Sequence, residues 1–386
     1  MKSAVEVKAD ILSKGVKLSP SLLENYTLPF LEKRRAYGNP DPENLRKERI
    51  PQELYISPEN ERLISAVNVN MDSDWLLDYD EGDYLLKNGH EEHTVSFPIR
   101  PEFYGYDLNL KNRAVNLSSV ATLYGGESLG IFAYGTCQLV EIGEPCHYCS
   151  IQQNREKEAK KFAYTISEEV MYHAVKNALK DAKANLSQVM LNGGNFPDMD
   201  KSFLHYVKLA KAAFKAIEES GREVELHLIV YPPKDLNLIE ELRGLDVSIA
   251  MNTEIFDPVL FEKYCPGKVK TAGREHILSA LDKAVEVLDK GNVFSILVGG
   301  LEPIESLSKG LHHLASRGIT PVINVLHTDP GTPLENFPNP TPEFIKSMGI
   351  ELQKVYDKYE LSPFYMNCGR NSIDTEAFKK LFIHEN

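Results

Sequence analysis

From Leu129 onward the chain alternates short apolar runs, rich in Val, Ile and Leu, with longer stretches in which apolar residues recur at helical spacing. The runs cover residues 129–134, 187–191, 224–230, 247–251, 293–298 and 321–326, and the helical stretches cover 167–182, 201–220, 274–289 and 304–316. Short, continuously apolar strands separated by amphipathic helices predict a parallel sheet covered by helices. Six such units over about 200 residues suit an incomplete barrel, since a closed eight-unit barrel takes about 250. Ahead of them, the first ~50 residues read as helical and polar. Alternating segments follow at 66–71 and 93–97, with Gly82 and Asn88-Gly89 as turn signals. The tail opens with a helix over 342–359 and ends in the polar segment 367–375. The pattern therefore predicts an α/β protein with a partial, TIM-like (β/α)6 barrel over 126–340. A mixed α+β accessory region, 1–125, precedes it, and a helix and tail, 341–386, follow and are expected to cover the mouth.

In parallel α/β folds, ligand sites gather at the C-terminal ends of the strands. Here those ends carry Cys137 to Cys149, Asn192-Gly193-Gly194-Asn195, Tyr231, Asn252-Thr253-Glu254, Gly299 to Glu302 and His327-Thr328-Asp329. Nearly every chemically distinctive residue is thus predicted on one rim. The balance of 43 Lys+Arg against 56 Asp+Glu, a net charge of −13, argues against a nucleic-acid partner. No stretch approaches a membrane-spanning length of about 18 apolar residues. The N-terminus also lacks a signal-peptide pattern, so the expectation is a soluble, cytoplasmic protein.

Three of the five cysteines fall within thirteen residues, as Cys137, Cys146 and Cys149 in a C-x8-C-x2-C spacing. That grouping fits a metal or cluster in a reducing compartment better than a disulfide framework. Three thiolates can hold three irons of a [4Fe–4S] cube and leave the fourth open. The alternative is structural zinc, which wants four ligands; His147, wedged between Cys146 and Tyr148, would strain to supply one.

The constellation resembles the radical S-adenosylmethionine (radical SAM) superfamily, whose common motif is C-x3-C-x2-C with an aromatic before the last cysteine. Tyr148 matches that aromatic, and the first spacing departs from the pattern. The resemblance spans roughly residues 129–334. It implies that the amino and carboxylate groups of S-adenosylmethionine chelate the open iron. Asn192-Gly193-Gly194-Asn195 resembles the family's Gly-Gly-Glu motif, with Asn195 in place of Glu. Residues 295–302 resemble its G-x-I-x-G-x-x-E strand against the adenine, keeping Gly299 and Glu302. Asn252-Thr253-Glu254, followed by Asp257, Leu260 and Phe261, is similar to the biotin synthase and hydrogenase-maturase group. There a carboxylate binds the ribose, which makes Glu254 the candidate and Asn252 the second. Arg274 matches an arginine that grips the methionine carboxylate, and residues 330–334 match the end of the sixth strand.

What the resemblance implies is reductive cleavage of S-adenosylmethionine to a 5′-deoxyadenosyl radical that acts on a small organic substrate by rearrangement, carbon–carbon lysis or related chemistry. A flavodoxin- or ferredoxin-type protein would supply the electron. Rim residues left for substrate are Tyr231, His327, Asp329 and, from the tail, Asn367, Arg370 and Asn371. Cys265 and Cys368 lack a cysteine neighbour and predict no second cluster. A phosphate loop, an H-E-x-x-H helix and a cobalamin-type module are all missing from the sequence. The rival reading is a non-catalytic protein, with the cysteines serving iron–sulfur electron transfer or structural zinc.

Overall fold

A computed structural model describes residues 2–25, 50–56, 62–110, 113–158 and 165–383. Half of the polar segment expected to be helical at the N-terminus, residues 26–49, lies outside the described residues. Its described part forms α1 (Ala4–Lys14), β1 (Lys17–Leu18) and α2 (Pro20–Glu24). A capping box starts α1: Glu6 N–H donates to Ser3 Oγ at 3.4 Å and Ser3 N–H to Glu6 Oε2 at 3.0 Å. Next come β2 (Glu53–Ile56), β3 (Leu63–Ala66), β4 (Leu76–Asp80), β5 (Asp83–Asn88) and β6 (Glu91–Ser96). With β1 they make a mixed six-stranded sheet in the order β1-β4-β5-β6-β2-β3. Val7 and Ile11 of α1 share one buried cluster with Trp75, which precedes β4, and with Leu77 and Leu86 of this sheet. Both expected turns occur; the β4–β5 hairpin is closed by Glu81 and Gly82, each at positive φ, as tight hairpins require.

A small hairpin, β7 (Asp107–Leu110) and β8 (Arg113–Asn116), leads to the principal sheet. Its strands are β9 (Ala121–Tyr124), β10 (Ser128–Tyr134), β11 (Gln188–Gly193), β12 (Glu225–Ile229), β13 (Ser248–Ala250), β14 (Val293–Gly299) and β15 (Thr320–Val325). They lie in sequence order, β10 to β15 parallel, with β9 antiparallel on the outer edge of β10. All six parallel strands match the predicted apolar runs, and the fold is the partial barrel expected. The sheet reaches back to Ala121 because β9 pairs with β10.

The connections are α3 (Gln138–Glu141), α4 (Ile151–Glu158) and α5 (Glu168–Ala178) before β11, and α6 (Met199–Ser220) before β12. Then come α7 (Pro258–Tyr264), α8 (Pro266–Thr271) and α9 (Arg274–Leu288) before β14, and α10 (Ile304–Ala315) before β15. Ser167 and Asp198 cap α5 and α6 with their side chains, and Gly221 ends α6 in the left-handed conformation. No helix among the described residues is long and apolar enough to cross a membrane.

After α11 (Pro342–Tyr359) the tail packs on the principal sheet and contributes Tyr365, Arg370 and Asn371 to the wall of a cavity. Phe364, Tyr365 and Cys368 pack against Met190, Ala250, Phe294, Ile296 and Val322 of the sheet strands. Phe364 stacks on His227 at 3.6 Å, and its carbonyl accepts from Gln188 Nε2 at 2.8 Å. Residues 371–376, ending in α12 (Asp374–Phe378), are polar in composition yet buried. Backbone pairing ties the stretch to β15, with Asn371 C=O accepting from Val325 N–H at 2.9 Å and Ser372 bridged to Asn324, while Asp374 Oδ2 and Glu376 Oε2 are buried without a hydrogen-bond partner.

Candidate cluster and cofactor site

Strand β10 delivers the chain to Cys137, the N-cap of α3, and a turn then brings Cys146 and Cys149 back ahead of α4. Cys149 N–H donates to Cys146 C=O at 3.0 Å. Burial pushes the Cys137 and Cys149 thiols up, and each is raised further by the charge of Cys146. Cys137 Sγ donates to Asn195 Oδ1 at 2.7 Å, and Gln138 N–H donates to Asn195 C=O at 2.9 Å. The Asn192–Asn195 turn therefore cradles the first cysteine. A Cβ on Gly194 would stand 1.5 Å from Thr136 O, and one on Gly193, at φ +139, 2.5 Å from Tyr134 O. Only glycine permits this approach of turn to cysteine loop.

A segment that the sequence left unassigned closes the far side of the loop. His147 N–H donates to Tyr264 C=O at 2.9 Å, and a Cβ on Gly267 would meet Glu144 O at 2.3 Å. Cys265, at the junction of α7 and α8, is fully buried and lies 3.9 Å from Tyr148 Oη. The Cys265 thiol, against the effect of burial and helped by the Lys268 charge, holds the Cys146 pKa down, alone among the three cysteines. Lys268 is buried, with Nζ 2.7 Å from Glu254 Oε1 and 2.9 Å from Asn252 O. Burial pulls its pKa down, but Glu254, Cys146 and Cys265 outweigh this and raise it. Glu254 is held at φ +63 by two backbone bonds to β14, its N–H to Ile296 O at 3.0 Å and its C=O from Val298 N–H at 2.7 Å.

Beside the cysteines opens a cavity of about 500 Å³, lined from the predicted set by Tyr148, Cys149, Asn192, Gly193, Asn252, Glu254, His327, Asp329, Arg370 and Asn371. Cys137, Cys146, Gly194, Tyr231, Arg274, Gly299, Glu302 and Asn367 are outside that lining. Arg274 stands over the Phe256 ring at 4.6 Å and pairs with exposed Glu275 at 2.8 Å. Glu302 accepts from the backbone N–H groups of Phe256 and Asp257 at 2.9 and 3.0 Å, clamping the loop after β13. Gly299 is a packing position, since a Cβ there would stand 2.5 Å from Met348 Sδ. Tyr231 Oη pairs with Thr271 Oγ1 at 2.5 Å, and Asn367 Oδ1 accepts from Lys379 Nζ at 3.1 Å.

On another side of the cavity Asp329 accepts from Ser150 Oγ at 2.6 Å and faces His327 Nδ1 at 3.1 Å. Arg370 stacks on Tyr124 at 4.2 Å and pairs at 3.1 Å with Glu53, which is 0% exposed. Sequence reasoning missed Lys268, Cys265, Ser150 and Asn324. Asn324 carried a usable signal, a polar residue interrupting an apolar strand run. The others carried none: Cys265 and Ser150 make contacts more than a hundred residues away, and Lys268 is one of three lysines within 263–270 with nothing in sequence to mark it out.

The side chains present fit an iron–sulfur cluster and an adenosyl cofactor. All three thiols lie on the one loop between β10 and α4, and Cys149 lines the cavity, although among the described residues no group of three His, Cys, Asp or Glu side chains is already gathered as around a metal ion. Asn192 Oδ1 and Asn324 Oδ1 are buried beside the cavity with no hydrogen-bond partner, as acceptors kept for a ligand would be. The volume suits a small-molecule site.

No family model matches the chain. A stretch of 239 residues is 27% identical to bacteriochlorophyllide c C-7(1)-hydroxylase from Chlorobaculum limnaeum, covering 58% of each chain. The chain thus spans well under two thirds of that curated relative's length. Among solved structures, methylornithine synthase is 17% identical with a TM-score of 0.43, over 64% of this chain and 70% of that one. A radical SAM methyltransferase from Sphaerobacter thermophilus is 12% identical with a TM-score of 0.41, over 79% of this chain and 82% of that one. By its cysteine motif, its strand order and the seating of the cysteines at the strand ends, the chain resembles the radical SAM enzymes.

Proposed function

We propose that this chain is a radical SAM enzyme acting on a small organic substrate. The observation that supports the reading is the position of Cys137, Cys146 and Cys149 on the single loop that follows β10, with Cys149 in the wall of the 500 Å³ cavity. Bound there, a [4Fe–4S] cluster would supply the electron that cleaves S-adenosylmethionine reductively and so generates a 5′-deoxyadenosyl radical. The three thiolates hold the cluster. Asn192, through its orphaned Oδ1, takes the methionine amino group, and Glu254, fixed by Lys268, takes the ribose hydroxyls. The apolar wall of half-buried Phe132 and Ile229 with buried Ile296, Val298 and Val325 keeps water from the radical.

Once the cofactor is seated, a cavity of this size leaves room for a small metabolite, with His327, Asp329 and Arg370 as its polar contacts. Hydrogen abstraction from carbon is the proposed reaction, in keeping with the hydroxylase named above, and a flavodoxin- or ferredoxin-type protein is the proposed electron donor.

After anaerobic reconstitution the chain should bind about four iron and four sulfide. Given dithionite and S-adenosylmethionine, it should release 5′-deoxyadenosine. Replacing Cys137, Cys146 or Cys149 by Ala should abolish both properties. A triple-Ala variant that still forms 5′-deoxyadenosine, or a wild type that takes zinc and no sulfide, would overturn the proposal, the latter in favour of a structural metal site.

A further inference from the structure

The turn after β11 meets the first cysteine through one side-chain amide. Asn195 is 3% exposed, and its Oδ1 accepts from Cys137 Sγ at 2.7 Å. Its Nδ2 is buried with no hydrogen-bond partner. A buried donor left unsatisfied is costly, so its presence beside a cysteine calls for a physical account. The backbone that carries this amide is held from three directions. Gln138 N–H donates to Asn195 C=O at 2.9 Å, Tyr206 Oη to Gly194 C=O at 2.8 Å and Phe196 N–H to Ser202 Oγ at 3.1 Å. Asn195 is outside the cavity lining, so its partner is the cysteine rather than a molecule bound in the cavity.

Cysteine binds iron as the thiolate, whose sulfur accepts hydrogen bonds and has none to give. The Asn195 carbonyl oxygen that suits the thiol would therefore oppose the ligated sulfur. The two ends of an amide are nearly the same size, and half a turn about the last side-chain bond exchanges them. That turn puts Nδ2 on the sulfur and gives the orphaned donor its partner. We propose that Asn195 donates an Nδ2 hydrogen to the Cys137 sulfur once the cluster is bound and so raises the cluster's reduction potential, an inference that rests on the cluster reading above. One-electron reduction, with the electron from an external flavodoxin- or ferredoxin-type donor or from dithionite in the assay, adds a negative charge and no proton. Part of that charge falls on the ligand sulfurs, and a hydrogen bond to sulfur stabilises the reduced state more than the oxidised one. Asn195 is thus a positioning residue that acts through Cys137.

The test uses the full chain after anaerobic reconstitution, with iron assayed in wild type and in Asn195→Leu, which keeps the shape of the side chain and removes the amide. In an EPR-monitored redox titration the variant should shift the reduced-to-oxidised ratio at fixed potential about tenfold toward the oxidised form, equal to about 59 mV downward for a one-electron couple. Pulsed EPR of the reduced cluster supplies a direct signature. Wild type grown on asparagine with isotope-labelled side-chain nitrogen should show a weak coupling from that nitrogen, and Asn195→Leu should lack it. The metal-free variant should melt close to wild type, because an apolar group of the same shape replaces the satisfied and the unsatisfied end of the amide together. An unchanged potential with iron intact would overturn the proposal, as would a coupling that is absent from wild type or survives in the variant. So would a metal-free variant that melts well below wild type, or loss of iron from Asn195→Leu, either of which would make the side chain a structural support of the loop. A wild type that binds no iron would instead bring down the cluster reading itself, and the inference with it.

Discussion

Asp374 is a carboxylic acid with no exposed surface, and burial pushes its pKa up to about 6; Ser372 opposes the shift and Glu376 adds to it. Its ordinary value is 3.8, so between pH 3.8 and about 6 the folded chain holds a proton that the unfolded chain has released. Stability contributed by this group is thus fully present below pH 3.8 and lost as pH rises to about 6. Asp374→Asn keeps an acceptor for Ser372 and removes the buried charge. Above pH 6 it should unfold at higher urea than wild type, by about 3 kcal/mol, with the gap closing toward pH 4. A variant less stable than wild type at pH 7.5 would contradict this. At this scale the sequence was least legible. The three cysteines proposed to hold the cluster stood out because their spacing is local. Cys265 did not, since Tyr148 lies 117 residues upstream, and Lys268, though only 14 residues from Glu254, stands in the sequence as one of three lysines within 263–270. Arg274 matched by its place in the sequence, yet its side chain turns to Phe256 and Glu275.

Elements were the most legible scale, because apolar runs and helical periods are written locally and the strands are buried on both faces; every residue of β14 is buried. The short helices α3, α4, α7 and α8 were not foreseen, since pieces of four to eight residues carry too little periodicity to register. The junction of β11 with the cysteine loop shows how one element shapes the next. Gly194 lies where any side chain would collide with the backbone of Thr136, so Gly194→Ala must push the loop away. A substitution that forces backbone apart costs about 1–3 kcal/mol. Gly244, at φ +80 with open space around its would-be Cβ, supplies the comparison: Gly244→Ala meets only left-handed strain, about 1–2 kcal/mol. Both variants should lower the melting temperature, but only Gly194→Ala should lose iron on reconstitution. Equal iron in the two would mean that the turn does not position Cys137.

At the scale of the whole molecule the N-terminal region, readable in sequence only as accessory, is bolted to the barrel through the tail. Lys8 of α1 is 1% exposed, and its Nζ donates to Glu376 Oε1 at 2.6 Å, Ser372 O at 2.8 Å and Gly369 O at 3.1 Å. Close by, Ala66 N–H donates to Arg370 O at 3.2 Å, and Glu53 pairs with the Arg370 side chain that lines the cavity. The same stretch of tail, 364–376, therefore contacts the sheet interior, the cavity and the N-terminal sheet. No local signal could show this, because Lys8 and Glu376 are 368 positions apart. Such a linkage predicts that the N-terminal region and the barrel unfold together. Two probes report the halves separately: the single Trp of the chain, Trp75, lies in the N-terminal core, and the absorbance of a reconstituted cluster reports the barrel. Their urea midpoints should coincide in wild type. Lys8→Met strands a buried carboxylate and should move both midpoints down together, by about 3–5 kcal/mol. Lys8→Met with Glu376→Leu removes the pair as a unit and should recover most of that loss, because an apolar pair of similar volume replaces a buried ion pair at little cost. Should Trp75 report a midpoint of its own in wild type, or the double variant prove no better than the single, the tail would not be the link between the two regions.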